Sequence, residues 1–312
     1  MLSLRCVFYH AMTLNGEYMM RVFITGGTGL IGAAVVKELI KNGHSVVGLA
    51  RSESAAKAIQ EAGGEALQGS LRSLDVLRRG ATEADGVISL AFANGFTNAT
   101  ELADAVKEES IALKTLSEEL VGCNKALVVV SGTPHVTGRA SVESDPFSVK
   151  GPVGGRAQSV ISALSLAERG LRVSAVRLPR TVHNNGNGGF AGILTRIARE
   201  SGVSGYAGDG EQRWPSVHAL DAAVLFRLAL EKADPGTVWH AVGTEGDRVR
   251  DIATVIGRRL NLPVQSVPPK TYGPLGPVFA TDQPSSSTYT QRILGWHLKH
   301  TPLLEDLENL HP

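Results

Sequence analysis

Sulfur and aromatic rings are scarce in this chain. Two cysteines, Cys6 and Cys123, stand among 312 residues, and aromatic side chains make up 5%. So sparse a set excludes a disulfide framework or a four-thiolate metal site, and it predicts a reducing, cytoplasmic setting. No apolar run exceeds about eight residues, whereas a membrane span needs about twenty. An excess of one charge is also missing: 31 basic and 30 acidic residues give a formal net charge of +1. Nucleic acid and anionic membrane surfaces are therefore not expected partners. The nine histidines show no H-x-x-x-H spacing, so no metal is predicted. A small molecule is the partner these absences leave, with the chain a monomer or homodimer.

Glycine is plentiful, and its placement near the start is informative. The run Val22-Phe23-Ile24-Thr25 enters Gly26-Gly27-Thr28-Gly29-Leu30-Ile31-Gly32, and a helical pattern leaves it. Strand, G-x-x-G-x-x-G and helix in that order predict a nucleotide-binding turn. Gly26 would make the tight turn, Gly29 would let a pyrophosphate approach the backbone, and Gly32 would let helix and strand pack closely. The helix start would then direct its free N–H groups at the phosphates.

Apolar periodicity predicts helices at 30–42, 54–61, 72–79, 100–121 and 156–169. They alternate with strands at 22–25, 44–50, 65–68, 86–91, 126–130 and 171–178. This alternation indicates an α/β fold, a Rossmann-type doubly wound parallel sheet covered on both faces. Beyond Pro179 the texture changes. Asn184–Gly189 reads as a loop and Gly205–Gly210 as a glycine-rich turn. Helices are expected at 190–200, 221–232, 250–260 and 285–294, with a strand at 237–242. The expected organisation is a dinucleotide-binding domain over 20–180 with a return segment at about 218–245. Residues 181–217 and 246–312 would form a smaller, discontinuous α/β substrate or lid domain. Residues 1–19 make a poor secretory signal, interrupted by Arg5 and His10, and read as a dispensable extension ahead of Met20.

The ordered motifs resemble the extended short-chain dehydrogenase/reductase superfamily, in an atypical branch, from about Arg21 to Trp296. Beside the glycine turn they are Asp85-x-Val87-x-Ser89-Leu90-Ala91, Ser131-Gly132-Thr133, Arg177-Leu178-Pro179, Trp214-Pro215-Ser216-Val217-His218 before Asp221, and Leu294-Gly295-Trp296. The resemblance implies a nicotinamide cofactor on Gly26, Thr28, Gly29, Leu30, Ile31 and Gly32. It also implies that Ser70 and Leu71 lie near the adenine, with Leu90, Ala91 and Pro179 along the ribose and nicotinamide. After the second strand, Arg51-Ser52 stands where an NAD site carries an acid. A cation and a hydroxyl there suit a 2′-phosphate, so NADP is expected over NAD.

The superfamily's proton donor is a Tyr followed four residues later by a Lys. None of the tyrosines (9, 18, 206, 272 and 289) has that lysine, and Pro152 falls where the phenol would precede Arg156. Thr133 stands at the position of the substrate-orienting hydroxyl. Lys150 and His135 are the candidate replacements for the acid, with His183, Tyr206 and His218 weighed beside them. Asp221 reads as a helix N-cap. The expected activity is an NADP(H)-dependent oxidoreductase of a small carbonyl or alcohol. The alternatives are a nucleotide-sugar epimerase or dehydratase, and a non-catalytic NADPH-binding redox sensor.

Overall fold

The computed structural model describes residues 11–12, 18–93, 98–151 and 153–311. Most of the expected extension 1–19, Cys6 and Pro152 lie outside them; Ala11–Met12 pairs antiparallel with Tyr18–Met19. The chain divides into two compact units. The first comprises Met1–Ser131, Phe147–Val176 and Ala223–Trp239; the second comprises Gly132–Pro146, Arg177–Ala222 and His240–Pro312.

The first unit alternates strands and helices: β1 Arg21–Thr25, α1 Leu30–Lys41, β2 Ser45–Ala50, α2 Glu53–Glu61, β3 Glu65–Gln68, α3 Leu74–Glu83, β4 Gly86–Ser89, α4 Ala99–Leu120, β5 Ala126–Gly132, α5 Gly154–Ser165 and β6 Arg172–Leu178. With β10 (Thr237–His240), these strands form a seven-stranded sheet in the order β10-β6-β5-β4-β1-β2-β3. Adjacent pairs from β5 to β3 run parallel. Burial explains the lack of alternation in these strands. Val22, Phe23 and Ile24 are fully buried, and so are Val87, Ile88 and Leu127, because helices cover both faces. The chain winds outward from β1 to β3, then returns to lay β4 on the other side of β1. This reversal creates the crevice at the strands' carboxyl ends where such sheets bind ligands.

The second unit is built from smaller pieces: β7 Thr181–His183, α6 Gly189–Ser201, β8 Ser204–Ala207, β9 Arg213–His218, β11 Thr244–Arg248, α8 Val249–Leu260, β12 Val264–Val267 and a short helix Thr288–Leu294. Its sheets are β11-β9-β7 and β8-β12. The helix α7, Ala219–Lys232, runs from this unit back into the first. The core of the second unit gathers Leu194, Trp214, Ile252, Ile256, Phe279 and Leu303.

Two expectations are corrected here. The glycine-rich stretch at 205–210 is not all turn: Ser204–Ala207 pairs in parallel with Val264–Val267. Gly205 permits this pairing, because a Cβ there would lie 2.9 Å from the Tyr272 hydroxyl and 3.0 Å from Val267. The helix expected at 285–294 begins only at Thr288, because Ser285 bridges instead to Ser141. No helix among the described residues is long and apolar enough to cross a membrane.

Candidate active site

The glycine turn follows β1. Gly26 has φ +77°, a left-handed conformation, and a Cβ there would lie 2.8 Å from the Ala91 backbone nitrogen. A Cβ on Gly32 would stand 2.0 Å from the Gly26 carbonyl oxygen, so α1 can lie this close only without a side chain. Gly29 differs. Its φ of −73° and ψ of 170° suit any residue, and its absent Cβ would meet only the Gly26 carbonyl, at an ordinary 3.6 Å. Protein packing therefore does not require glycine at 29, and its bare backbone leaves room for a ligand to approach. The start of α1 has no side-chain cap and no acid in its first turn, so its N–H groups stay available for an anion. Thr28, Gly29 and Leu30 are exposed, and Ile31 is half-buried. These residues fit a dinucleotide pyrophosphate.

One residue beneath this turn was not singled out as functional from the sequence. The buried Thr25 accepts hydrogen bonds at Oγ1 from the backbone N–H groups of Leu90 and Ala91, both at 3.2 Å. It staples the end of β4 to the end of β1, pressing the Leu90-Ala91 backbone onto Gly26. The signal was present as a hydroxyl ending an otherwise apolar strand.

Arg51, just past β2, is exposed and has no hydrogen bond or ion pair among the described residues. Ser52 caps α2, its Oγ accepting from the Ala55 N–H at 3.2 Å. Ser70 accepts from the Arg72 N–H at 3.2 Å, and Leu71 packs on the edge of the first unit's core. Pro179 is buried and belongs to the second unit.

The acid–base candidates divide between the units: Lys150 in the first, Thr133 and His135 in the second. Lys150 is exposed and unpaired. Arg156, at the place of the superfamily's lysine, donates to both oxygens of Glu109 at 2.6 and 2.8 Å. Its guanidinium carbon sits 3.8 Å from the centroid of the Phe92 ring, so this charge is already committed. His135 is exposed two residues beyond Thr133. Thr133 itself is buried, and its Oγ1 has no hydrogen-bond partner among the described residues. Its backbone is fixed on both sides: its N–H donates to the Leu178 carbonyl at 2.9 Å and its carbonyl accepts from Gln283 Nε2 at 2.7 Å. A fixed backbone carrying a bare hydroxyl suits the orientation of a bound carbonyl.

His183 and His218, the other histidines weighed as the acid, have structural partners. His183 is buried, with Nδ1 2.9 Å from Asp306 Oδ2, and Asp306 also accepts the N–H groups of Asn185 and Gly186. Asp221 is not an N-cap: α7 starts at Ala219. Its carboxylate instead accepts from the Lys299 and His300 N–H groups and from His300 Nδ1. His218 accepts from the Leu220 N–H and stacks on His300 with centroids 4.9 Å apart. Tyr206 lies in β8, 5.7 Å below the Arg250 guanidinium. Among the described residues no three His, Cys, Asp or Glu side chains are grouped to hold a metal.

This histidine set has a consequence for stability. Burial lowers the pKa of His183 and of His218, and brings His240 down to about 4. Each binds its proton more weakly folded than unfolded, so stability is full above about pH 6.5 and falls as pH drops. Asp247 acts oppositely: burial and Asp251 raise it to about 6, so it gains a proton on folding in the same window. Three histidines outweigh one carboxyl. The expected net result is a stability that falls as the pH drops from about 6.5 toward 4.5. Urea midpoints measured across that window test this, and a flat profile contradicts it.

Comparison with known proteins agrees with this architecture. The profile of the NAD dependent epimerase/dehydratase family matches residues 22–241. An uncharacterized protein of Saccharomyces cerevisiae is 41% identical over 295 residues, covering 92% of this chain and 98% of that one. One of Schizosaccharomyces pombe is 39% identical over 292 residues, with the same coverage. A Dictyostelium discoideum sterol-4-alpha-carboxylate 3-dehydrogenase, decarboxylating, is 24% identical over 246 residues, 74% of this chain and 73% of that one. Among solved structures, Pal from Bacillus thuringiensis superposes with a TM-score of 0.76 at 20% identity, over 93% of this chain and 97% of that one. The UDP-glucose 4-epimerase of Thermotoga maritima gives 0.73 at 22%, over 93% and 97%. The chain belongs to the NAD dependent epimerase/dehydratase family, within the extended short-chain dehydrogenase/reductase superfamily that its motifs resemble.

Proposed function

We propose that this chain is an NADP(H)-dependent oxidoreductase of small carbonyl or alcohol substrates. The observation that carries the reading is the unpaired, exposed Arg51 at the end of β2, in the unit whose Gly29 leaves its backbone open to a ligand. A cationic fork there favours a 2′-phosphate, where an acid would repel it. When bound, the reduced cofactor supplies a hydride to a carbonyl carbon, giving an alcohol and the oxidised nicotinamide. In the first unit the α1 N–H groups would hold the pyrophosphate; in the second, the Thr133 hydroxyl would donate a hydrogen bond to a carbonyl oxygen. His135 is the candidate donor of the proton that oxygen would gain, with Lys150 as the other candidate. The Dictyostelium relative, named as a dehydrogenase, supports net alcohol–carbonyl chemistry.

A second reading, an NADPH-binding sensor without turnover, is favoured by the absence of Tyr-x-x-x-Lys and by the commitment of Arg156 to Glu109. One experiment separates the readings: mixing the full chain with NADPH and a panel of small ketones and aldehydes. The expected result is NADPH oxidation matched by alcohol formation, with His135→Gln slowing turnover at least tenfold. Saturable binding without turnover favours the sensor. Tightly bound NAD with conversion of a sugar nucleotide favours the epimerase or dehydratase alternative. A cytoplasmic monomer or homodimer is the setting proposed, tested by fractionation and light scattering of the full chain.

A further inference from the structure

Several buried or half-buried arginines among the described residues have their charge answered by an acid. Arg156 is paired with Glu109, and Arg227 with Glu38 and Glu231. Arg177 is fully buried but donates toward the Glu143 carbonyl and sits in the field of Asp145 and Glu143. Arg180 is different. It follows the carboxyl end of β6, where doubly wound sheets take their ligands. Burial alone brings its pKa down to about 10, with no acid working against it. Its Nη2 donates to Gln283 Oε1 at 2.6 Å, and its Nε is buried without a partner among the described residues.

The surroundings point to a ligand. The guanidinium carbon lies 5.2 Å from the Phe190 ring centroid and 5.9 Å from that of Trp214. The Trp214 Nε1–H is likewise buried and without a partner among the described residues. Gln283 joins this corner to the oxidoreductase machinery of the same unit. Its Oε1 holds Arg180, and its Nε2 donates to the carbonyl of Thr133, the residue with the bare hydroxyl. One amide thus sets both a cationic fork and a carbonyl-orienting hydroxyl. A planar two-oxygen anion matches a guanidinium bidentately. With a single unanswered cation, the charge balanced is one negative charge, not the two or more of a phosphate monoester or diphosphate.

We propose that Arg180 anchors a carboxylate on the substrate, so that the chain acts on small oxo acids or hydroxy acids. This rests on the oxidoreductase reading and names its substrate class. The test is calorimetric binding of two-oxo acids of three to six carbons, and of their methyl esters, to the full chain; NADPH binding is followed separately. The acids are expected to bind at least tenfold more tightly than the esters. Arg180→Gln should lose that preference at least tenfold while leaving ester and NADPH binding unchanged, and Arg180→Lys should keep part of it. Arg180→Gln keeps a side-chain amide that can meet Gln283, so its melting point should stay close to the parent's while the carboxylate preference is lost. The proposal is overturned if acids and esters bind alike, if none binds, if Arg180→Gln behaves as the parent, or if phosphate esters bind in preference. NADPH oxidation by neutral ketones without a carboxylate preference would sink this proposal and leave the oxidoreductase standing. Carboxylate binding without NADPH binding would do the reverse.

Discussion

Gly29→Ala is expected to weaken NADPH binding at least a hundredfold while leaving the fold intact; Gly32→Ala, three residues on, is expected to damage the fold itself. The two glycines differ in what surrounds them. At 32 a Cβ would sit 2.0 Å from the Gly26 carbonyl oxygen and 2.9 Å from the Gly27 Cα. Both are backbone atoms in a tight turn, which cannot swing aside as a flexible side chain would. A cost of about 3 kcal/mol or more follows. At 29 the backbone is extended and the nearest atom would be 3.6 Å away, so alanine should change stability by no more than about 1 kcal/mol. Its methyl group would fill the space a pyrophosphate needs. Thermal melts and NADPH titration of both variants measure the difference. If Gly29→Ala binds NADPH like the parent chain, the glycine turn is not a phosphate cradle.

Substitution of Arg51 should change which cofactor binds, not whether one binds. Arg51→Ala is expected to weaken NADPH roughly 10–100-fold, the loss of a charge-assisted pair of hydrogen bonds, and to leave NADH within about twofold. Arg51→Glu should reverse the preference, since a carboxylate repels the 2′-phosphate and accepts the free ribose hydroxyl. Arg51 is exposed and has no hydrogen bond or ion pair among the described residues, so melting temperatures should hold. Equal losses for both cofactors would show that Arg51 does not read the 2′ position.

The first unit was largely legible in the sequence because its strands are buried on both faces. Val22–Ile24, Val46–Ala50 and Ala126–Val129 are continuous runs without a polar side chain, and burial of that kind leaves an unmistakable pattern. The second unit was less legible. Thr244–Arg248 is Thr-Glu-Gly-Asp-Arg, a strand with neither apolar alternation nor β-branched enrichment beyond its first residue, held by pairing to Arg213–His218. Tertiary pairing, not local propensity, makes it a strand. The same limit hid the corner at Arg180. Gln283 lies 103 residues from Arg180 and 150 from Thr133, and no local pattern joins them. His183 and Asp221 read as site-facing and capping residues for a related reason. Their partners, Asp306 and His300, come from the far end of the chain.

The most direct test of the account is calorimetric titration of the full chain with NADP+ and, separately, NAD+. The account predicts saturable one-to-one binding of NADP+, at least tenfold tighter than NAD+. Equal affinity for both, or no binding of either, would contradict it.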